Sequence, residues 1–216
     1  MQAGTPGTGY RDGMGTTFDP RPTTLAGTLV HLEPLAWGHA PDLLAAGSDD
    51  DTWRYMPRPA LKTLAETEEL IEHAVRDAAD GSQVPFAIID NDSKRAIGST
   101  RLLDIQRHDR GLEIGWTWIG AQWRRTGVNT ECKWLLLSHS FDELGARRVA
   151  LKTDARNKRS RVAIERIGGK YEGTLRKHRL CWDGSLRDTV YYSILDDEWP
   201  EIRSRVFRAP VQQQSH

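Results

Sequence analysis

The chain has 216 residues, and Lys plus Arg and Asp plus Glu both total 30, so it carries no formal net charge. That balance argues against a general nucleic-acid or membrane-surface binder, because each needs a basic excess. A chain of this length can bury a real core and is expected to form one domain, and no apolar run approaches the roughly 18 residues of a membrane-spanning helix.

Residues 1–24, rich in Gly, Thr and Pro and without an apolar stretch, predict a flexible leader rather than a signal peptide. A short strand is expected at 29–35 and a helix at 37–46, stopped by Gly47. Residues 48–62 read as loop, with the acidic run Asp49-Asp50-Asp51, the aromatics Trp53 and Tyr55, and Pro57 and Pro59. In the next helix Leu70, Ile71, Ala74, Val75 and Ala78 share one face, Glu66, Glu68 and Glu69 load the first turns, and Gly81 ends the pattern. Two strands, 84–90 and 95–105, flank the turn Asn91-Asp92-Ser93, and a further strand is expected at 112–119.

A helix follows with Trp134, Leu137, Phe141 and Leu144 at helical spacing and Gly145 as its stop. Residues 147–153 predict a strand, and Asn157 caps a helix terminated by Gly168. Strands at 171–182 and 187–195 flank the hairpin signal Asp183-Gly184. The expected domain, 25–207, holds about seven strands and four or five helices in one αβ fold, and 208–216 is a polar tail. Cys132 and Cys181 lie far apart without metal-like spacing, so reduced thiols are expected. Histidines 31, 39, 73, 108, 139, 178 and 216 likewise form no ligand spacing, and no metal is expected.

Chemistry concentrates between the strand at 112–119 and the helix after it. The strand stops at Gly120, a turn carries Arg124, Arg125, Thr126 and Gly127, and the helix begins at once with Val128, Asn129 and Thr130. A helix start bares unpaired N–H groups and the positive end of its dipole, which suits a phosphate. Two guanidiniums add fixed positive charge with planar donors. The turn is not a Walker P-loop, because the Gly-Lys-Ser/Thr ending is missing. Lys158, Arg159 and Arg161 form a second basic cluster, either a solvated helix face or an attraction for phosphates.

This order resembles the GNAT superfamily of acetyltransferases, whose turn reads Gln/Arg-x-x-Gly-x-Gly/Ala; here it is Arg124-x-x-Gly127-x-Asn129, departing at the last position. Asn157-x-x-Ser160 and the run from Tyr171 to Arg176 are similar to the branch containing the RimJ and RimL ribosomal-protein N-terminal acetyltransferases, over residues 29–199. The resemblance implies a GNAT fold, α/β (α+β), with a mixed, mostly antiparallel sheet flanked by helices. It implies acetyl-CoA as acyl donor, held through its pyrophosphate by the turn, with no metal.

Transfer from a thioester needs no covalent enzyme intermediate, so the absence of a Ser-His-Asp or Cys-His arrangement does not count against catalysis. By resemblance Glu113 is the base that accepts the amine's proton, and Ser160 the acid for the departing thiolate. Asn157 binds the pantetheine arm, and a backbone N–H near Trp118 or Ile119 stabilises the oxyanion. From the residues alone, Glu113 could equally be a solvent-facing strand carboxylate, and Asn157-x-x-Ser160 a simple cap. By the resemblance Trp53 and Tyr55 are expected in the acceptor pocket, while as loop aromatics they could equally be packing anchors, and Trp116 and Trp118 either line the cleft or fill the core. Cys132 reads as a small buried residue.

The expected activity is N-acetyl transfer to a primary amine, on a protein N-terminus or a small molecule, in the cytoplasm. No nucleic-acid or membrane partner is expected, and a homodimer is left open. Transfer of another short acyl group such as succinyl, or CoA binding without catalysis, would use the same cofactor signals. A nucleic-acid module on residues 156–161 is disfavoured by the zero charge and by the lack of interleaved aromatics.

Overall fold

Residues 84–89 are all buried, as befits a strand with helices on both faces. This strand, β3 (Val84–Asp90), turns Phe86 and Ile88 to one core and Ala87 and Ile89 to another. The computed structural model describes residues 18–207, which carry eight strands. The others are β1 (Leu25–Ala26), β2 (Val30–Pro34), β4 (Ala96–Gln106), β5 (Gly111–Ile119), β6 (Arg148–Asp154), β7 (Lys170–Leu180) and β8 (Leu186–Leu195). They form one sheet in the order β1-β2-β3-β4-β5-β6-β8-β7. Every neighbouring pair is antiparallel except β5–β6.

Six α-helices flank the sheet: α1 (Ala40–Gly47), α2 (Asp50–Trp53), α3 (Leu64–Ala78), α4 (Val128–Ser138), α5 (Lys158–Arg166) and α6 (Trp199–Val206). Leu43 of α1 and Leu70, Ile71 and Ala74 of α3 cover one face with Ala87, Ile89 and Ala96. Leu136 and Leu137 of α4 and Ile202 of α6 cover the other with Phe86, Ile88 and Ile97. A reciprocal cap opens α3: the Thr63 hydroxyl accepts from the Glu66 N–H at 3.2 Å, and the Glu66 carboxylate accepts from the Thr63 N–H at 3.1 Å.

The predicted αβ domain is present, with differences at its margins. The eighth strand is the two-residue β1, too short for any periodicity to register. α2 lies inside the stretch expected to be loop, started by Asp49, whose carboxylate accepts from the Thr52 N–H at 3.1 Å. Phe18, within the stretch expected as leader, is 4 % exposed in the main core. The rest of the expected leader, 1–17, and the tail, 208–216, lie outside the described residues.

Candidate active site

β5 pairs with β6 only over Gly111↔Arg148, Leu112↔Val149 and Glu113↔Ala150. Beyond Glu113 the two strands part, while β5 stays paired to β4 as far as Ile119. The parting coincides with an irregularity in β5: the β4 register shifts between Arg101↔Gly115 and Ser99↔Trp118, and Trp116 adopts φ +52°. A bulky residue at positive φ is strained and must be held by its surroundings. The Arg101 guanidinium, over the Trp116 ring at 4.5 Å, supplies that hold. Past the bulge the Gly120 N–H donates to Ile97 on β4 at 2.8 Å, and the Trp118 carbonyl also faces β4. Strand alternation then turns the intervening Ile119 N–H toward the gap.

The gap opens into a cleft of about 1490 Å³. At one end the chain leaves β5, makes a short turn and enters α4. Arg125 and Gly127 both have positive φ there, +66° and +94°. Gly127 is the N-cap, so the N–H groups that follow lack intrahelical partners. The turn is pinned from outside: the Glu131 carboxylate accepts from the N–H groups of Thr28, Leu29 and Val30 at 2.8, 2.6 and 2.9 Å. Arg166 of α5 also reaches the Thr130 hydroxyl at 3.0 Å.

On the β6 side of the gap, Asn157 accepts from the Ser160 N–H at 3.0 Å, so the expected cap is formed, and both residues line the cleft. At the far end lies Glu113, 7 % exposed, with Lys152 Nζ 2.6 Å from its carboxylate. Burial pushes the Glu113 carboxyl above its ordinary value, and the Lys152 ammonium opposes that shift. Gly115 makes room for this carboxylate: a Cβ there would lie 2.9 Å from Glu113 Oε1.

The cleft brings together Glu113, Tyr55, Trp116, Trp118, Ile119, Arg124, Arg125, Gly127, Asn129, Thr130, Asn157, Arg159 and Ser160. Three other predicted site residues face elsewhere. Trp53 is a core residue, 1 % exposed, whose indole N–H donates to the Gly47 carbonyl at 2.7 Å and whose ring packs 4.9 Å from Trp118. Val128 is 3 % exposed in the main core and offers only its backbone, and the Thr126 hydroxyl donates to the Trp123 carbonyl at 2.6 Å. Arg124 lines the cleft but is already held, by Asp51 at 2.9 Å, Asp49 at 3.0 Å and the Thr52 hydroxyl. The acidic run that read as loop decoration thus ties α2 to the turn.

Sequence reasoning missed Lys133. It interrupts the buried face of α4, and its ammonium donates to the Thr117 hydroxyl at 2.6 Å, which in turn lies 2.7 Å from the Thr100 hydroxyl. Burial lowers its pKa to about 8. Lys152, Arg166, His178 and Arg187 were missed as well, because strand and helix cations ordinarily read as solvated. Cys132 is fully buried with its thiol pushed up to about 11, so it is inert as a nucleophile.

The fold has counterparts among solved structures. Residues 30–170 match the model of the acetyltransferase (GNAT) domain. The chain belongs to the GNAT family. The GNAT chain is 36 % identical over 102 residues, 47 % of its own length, to "Putative ribosomal N-acetyltransferase YdaF" of Bacillus subtilis (strain 168). That stretch spans only 55 % of YdaF. It is 25 % identical over 153 residues to the uncharacterized N-acetyltransferase YoaA of the same organism, covering 71 % of this chain and 85 % of YoaA. Among solved structures, a GCN5-related N-acetyltransferase from Brucella melitensis superposes with a TM-score of 0.83 at 31 % identity, covering 89 % of this chain and 88 % of the other. The likeness to YdaF agrees with the RimJ/RimL-like branch of the GNAT family.

Within this GNAT chain Gly127 has a testable role. Val at φ +94° is strained, and its Cβ would sit 3.3 Å from Leu29 Cδ1, which must give by a few tenths of an ångström. Gly127→Val is expected to weaken CoA binding by about tenfold or more with an unchanged far-UV spectrum. Parental affinity in a calorimetric titration would remove the phosphate role from this turn.

Proposed function

We propose that the protein transfers an acetyl group from acetyl-CoA to a primary amine, on a protein N-terminus or a small molecule, by direct attack within the cleft. The observation that carries this reading is the parting of β5 from β6 beyond Glu113, with the bare start of α4 at one end and a buried carboxylate at the other. The N–H groups at 127–130, with Arg125 and Arg166 nearby, suit the pyrophosphate, and the gap suits an extended pantetheine arm beside Asn157.

The amine nitrogen attacks the thioester carbonyl carbon and gives its proton, directly or through one water, to Glu113. A carboxyl held above the ordinary range is a stronger base than an exposed one, which is what an amine proton requires. Oxyanion charge develops where the Ile119 N–H faces the gap. As the carbon–sulfur bond breaks, Ser160, in the first turn of α5 where the helix dipole favours negative charge, gives a proton to the thiolate. Ser160 takes one back from solvent, to which Glu113 releases the amine's proton. The products are an amide and free CoA. An α-amine, with pKa about 7.7–8.0, offers more neutral nitrogen near neutral pH than a lysine at about 10.4, which favours N-termini and small α-amines as acceptors.

The experiment is a thiol-release assay with acetyl-CoA and succinyl-CoA across peptides and small amines. Calorimetric binding of acetyl-CoA without thiol release would indicate a silent CoA-binding protein. Preference for succinyl-CoA would replace the donor. Ser160→Ala is expected to lower turnover about tenfold or more at every pH where the parent works. A loss confined to acetyl-CoA affinity would reduce Ser160 to a cofactor contact.

A further inference from the structure

The acceptor end of the cleft has a chemistry of its own, built by the β7–β8 hairpin. The register sets Arg179 directly opposite Arg187, and both line the cleft. Like charges facing each other across an antiparallel pair repel, so this pairing costs stability unless an anion lies between them. Among the described residues neither guanidinium is within ion-pair distance of a carboxylate. The nearby acids are engaged elsewhere, except Asp104, an exposed cleft residue that acts on Glu113 and Lys152. Glu113 holds Lys152 at 2.6 Å, and Asp154 holds Arg156 at 2.7 Å and acts on Arg187 only at longer range. Asp183 accepts from the Ser185 N–H in the hairpin turn, and Asp188 on β8 accepts from the Lys177 N–H on β7.

The same wall holds polar atoms that are buried without a hydrogen-bond partner: Arg187 Nε, Thr189 Oγ1 and His178 Nδ1. Thr189 is 1 % exposed, so its hydroxyl cannot be satisfied by bulk solvent. Native proteins rarely leave such groups orphaned, and a cleft wall where several coincide is built to meet something that accepts hydrogen bonds. Two guanidiniums and a hydroxyl donor describe a binder of oxyanions, since planar Arg donors match carboxylate and phosphoryl oxygens.

We propose that the acceptor amine carries an anionic group, a carboxylate or a phosphoryl ester, that docks on Arg187, Arg179 and Thr189 while its nitrogen faces Glu113. This rests on the acetyl-transfer reading, and names the substrate class that the reading leaves open. Glu113 on β5 and Arg187 on β8 line the same cleft, and the two charges interact. The acceptor is therefore a compact zwitterion, such as an amino acid, a short peptide or a phosphorylated amino alcohol. Its acid stays unreacted; only the amine nitrogen gains the acetyl group.

The test uses matched pairs that differ in the anion: glycylglycine against glycylglycinamide, and phosphoethanolamine against ethanolamine. Each is titrated into protein saturated with CoA, which blocks the phosphate turn at α4, and each is assayed for thiol release from acetyl-CoA. The acidic member of at least one pair is expected to bind about tenfold tighter or better, the scale of a charge-assisted hydrogen bond. The pair that responds distinguishes carboxylate from phosphoryl. Arg187→Gln and Arg179→Gln should each shrink that preference severalfold with no change in acetyl-CoA affinity. Arg179 is exposed, so its replacement keeps the test available if Arg187→Gln does not fold. Equal binding of acidic and neutral members in both pairs, or a preference untouched by both substitutions, overturns the proposal. Tight binding of an acidic amine with no thiol release would leave this subsite standing and sink the acetyl-transfer reading instead.

Discussion

Glu113→Gln is expected to lower turnover by about a hundredfold, the usual contribution of a positioned general base, with acetyl-CoA affinity close to parental. The loss should be deepest between the raised Glu113 pKa and the pKa of the amine, where the carboxylate is ionised and little of the amine is neutral. In the parent, burial holds the Glu113 carboxyl above its ordinary value, so its base form appears only as pH rises through that raised pKa, and the acid limb of the pH–rate profile should report it. Lys152 favours the ionised carboxylate from 2.6 Å. Removing that ammonium in Lys152→Met should move the acid limb to higher pH, because burial then acts unopposed. The Gln variant should lose this limb altogether and keep only the titration of the amine. A profile with one acid limb shared by parent and both variants would assign the base elsewhere.

Lys133→Met should stabilise the protein near pH 7 by about 2 kcal/mol. A buried ammonium whose pKa falls from 10.5 to about 8 is penalised in the folded state relative to the unfolded chain. At about 1.36 kcal/mol per pKa unit that penalty is about 3 kcal/mol, against about 1 kcal/mol for the lost hydrogen bond to Thr117. The sign follows from proton binding. Between about pH 8 and 10.5 the unfolded chain keeps a proton on this lysine that the folded chain has released, so parental stability rises with pH through that window. The advantage of the variant should therefore be full below pH 8 and fade above it. Urea unfolding at a neutral and an alkaline pH measures both, and a destabilised variant at neutral pH would contradict the assignment. Turnover should fall at the same time. Lys133 braces Thr117, next to the strained Trp116, and a lysine kept against its own desolvation cost is explained by the bulge it supports.

Much of this protein is legible along the chain. The apolar face of residues 70–78 and the glutamates before it announce α3, Asn157 caps α5 as its side chain and spacing require, and the 84–90 strand lies where its apolar run and following turn place it. These features depend on neighbours within about four residues, so local spacing contains the information. Glu113, Gly127 and Ser160 were singled out through the family resemblance, and they lie in β5, at the N-cap of α4 and in the first turn of α5.

Contacts between elements distant in sequence were decided only by the tertiary structure. Asp49 and Asp51 read as a charged loop, yet they reach Arg124 more than 70 residues away and tie α2 to the turn. Trp53 and Tyr55 are two residues apart and looked alike, yet the former is in the core and the latter in the cleft. Lys133, Lys152 and Arg187 lie on three different elements and converge only because the sheet order runs β5-β6-β8 with α4 packed against it. Strand periodicity says which residues share a face, but not which strand lies beside them or where two neighbours part. Those depend on register and on where β5 parts from β6, beside the irregularity at Trp116.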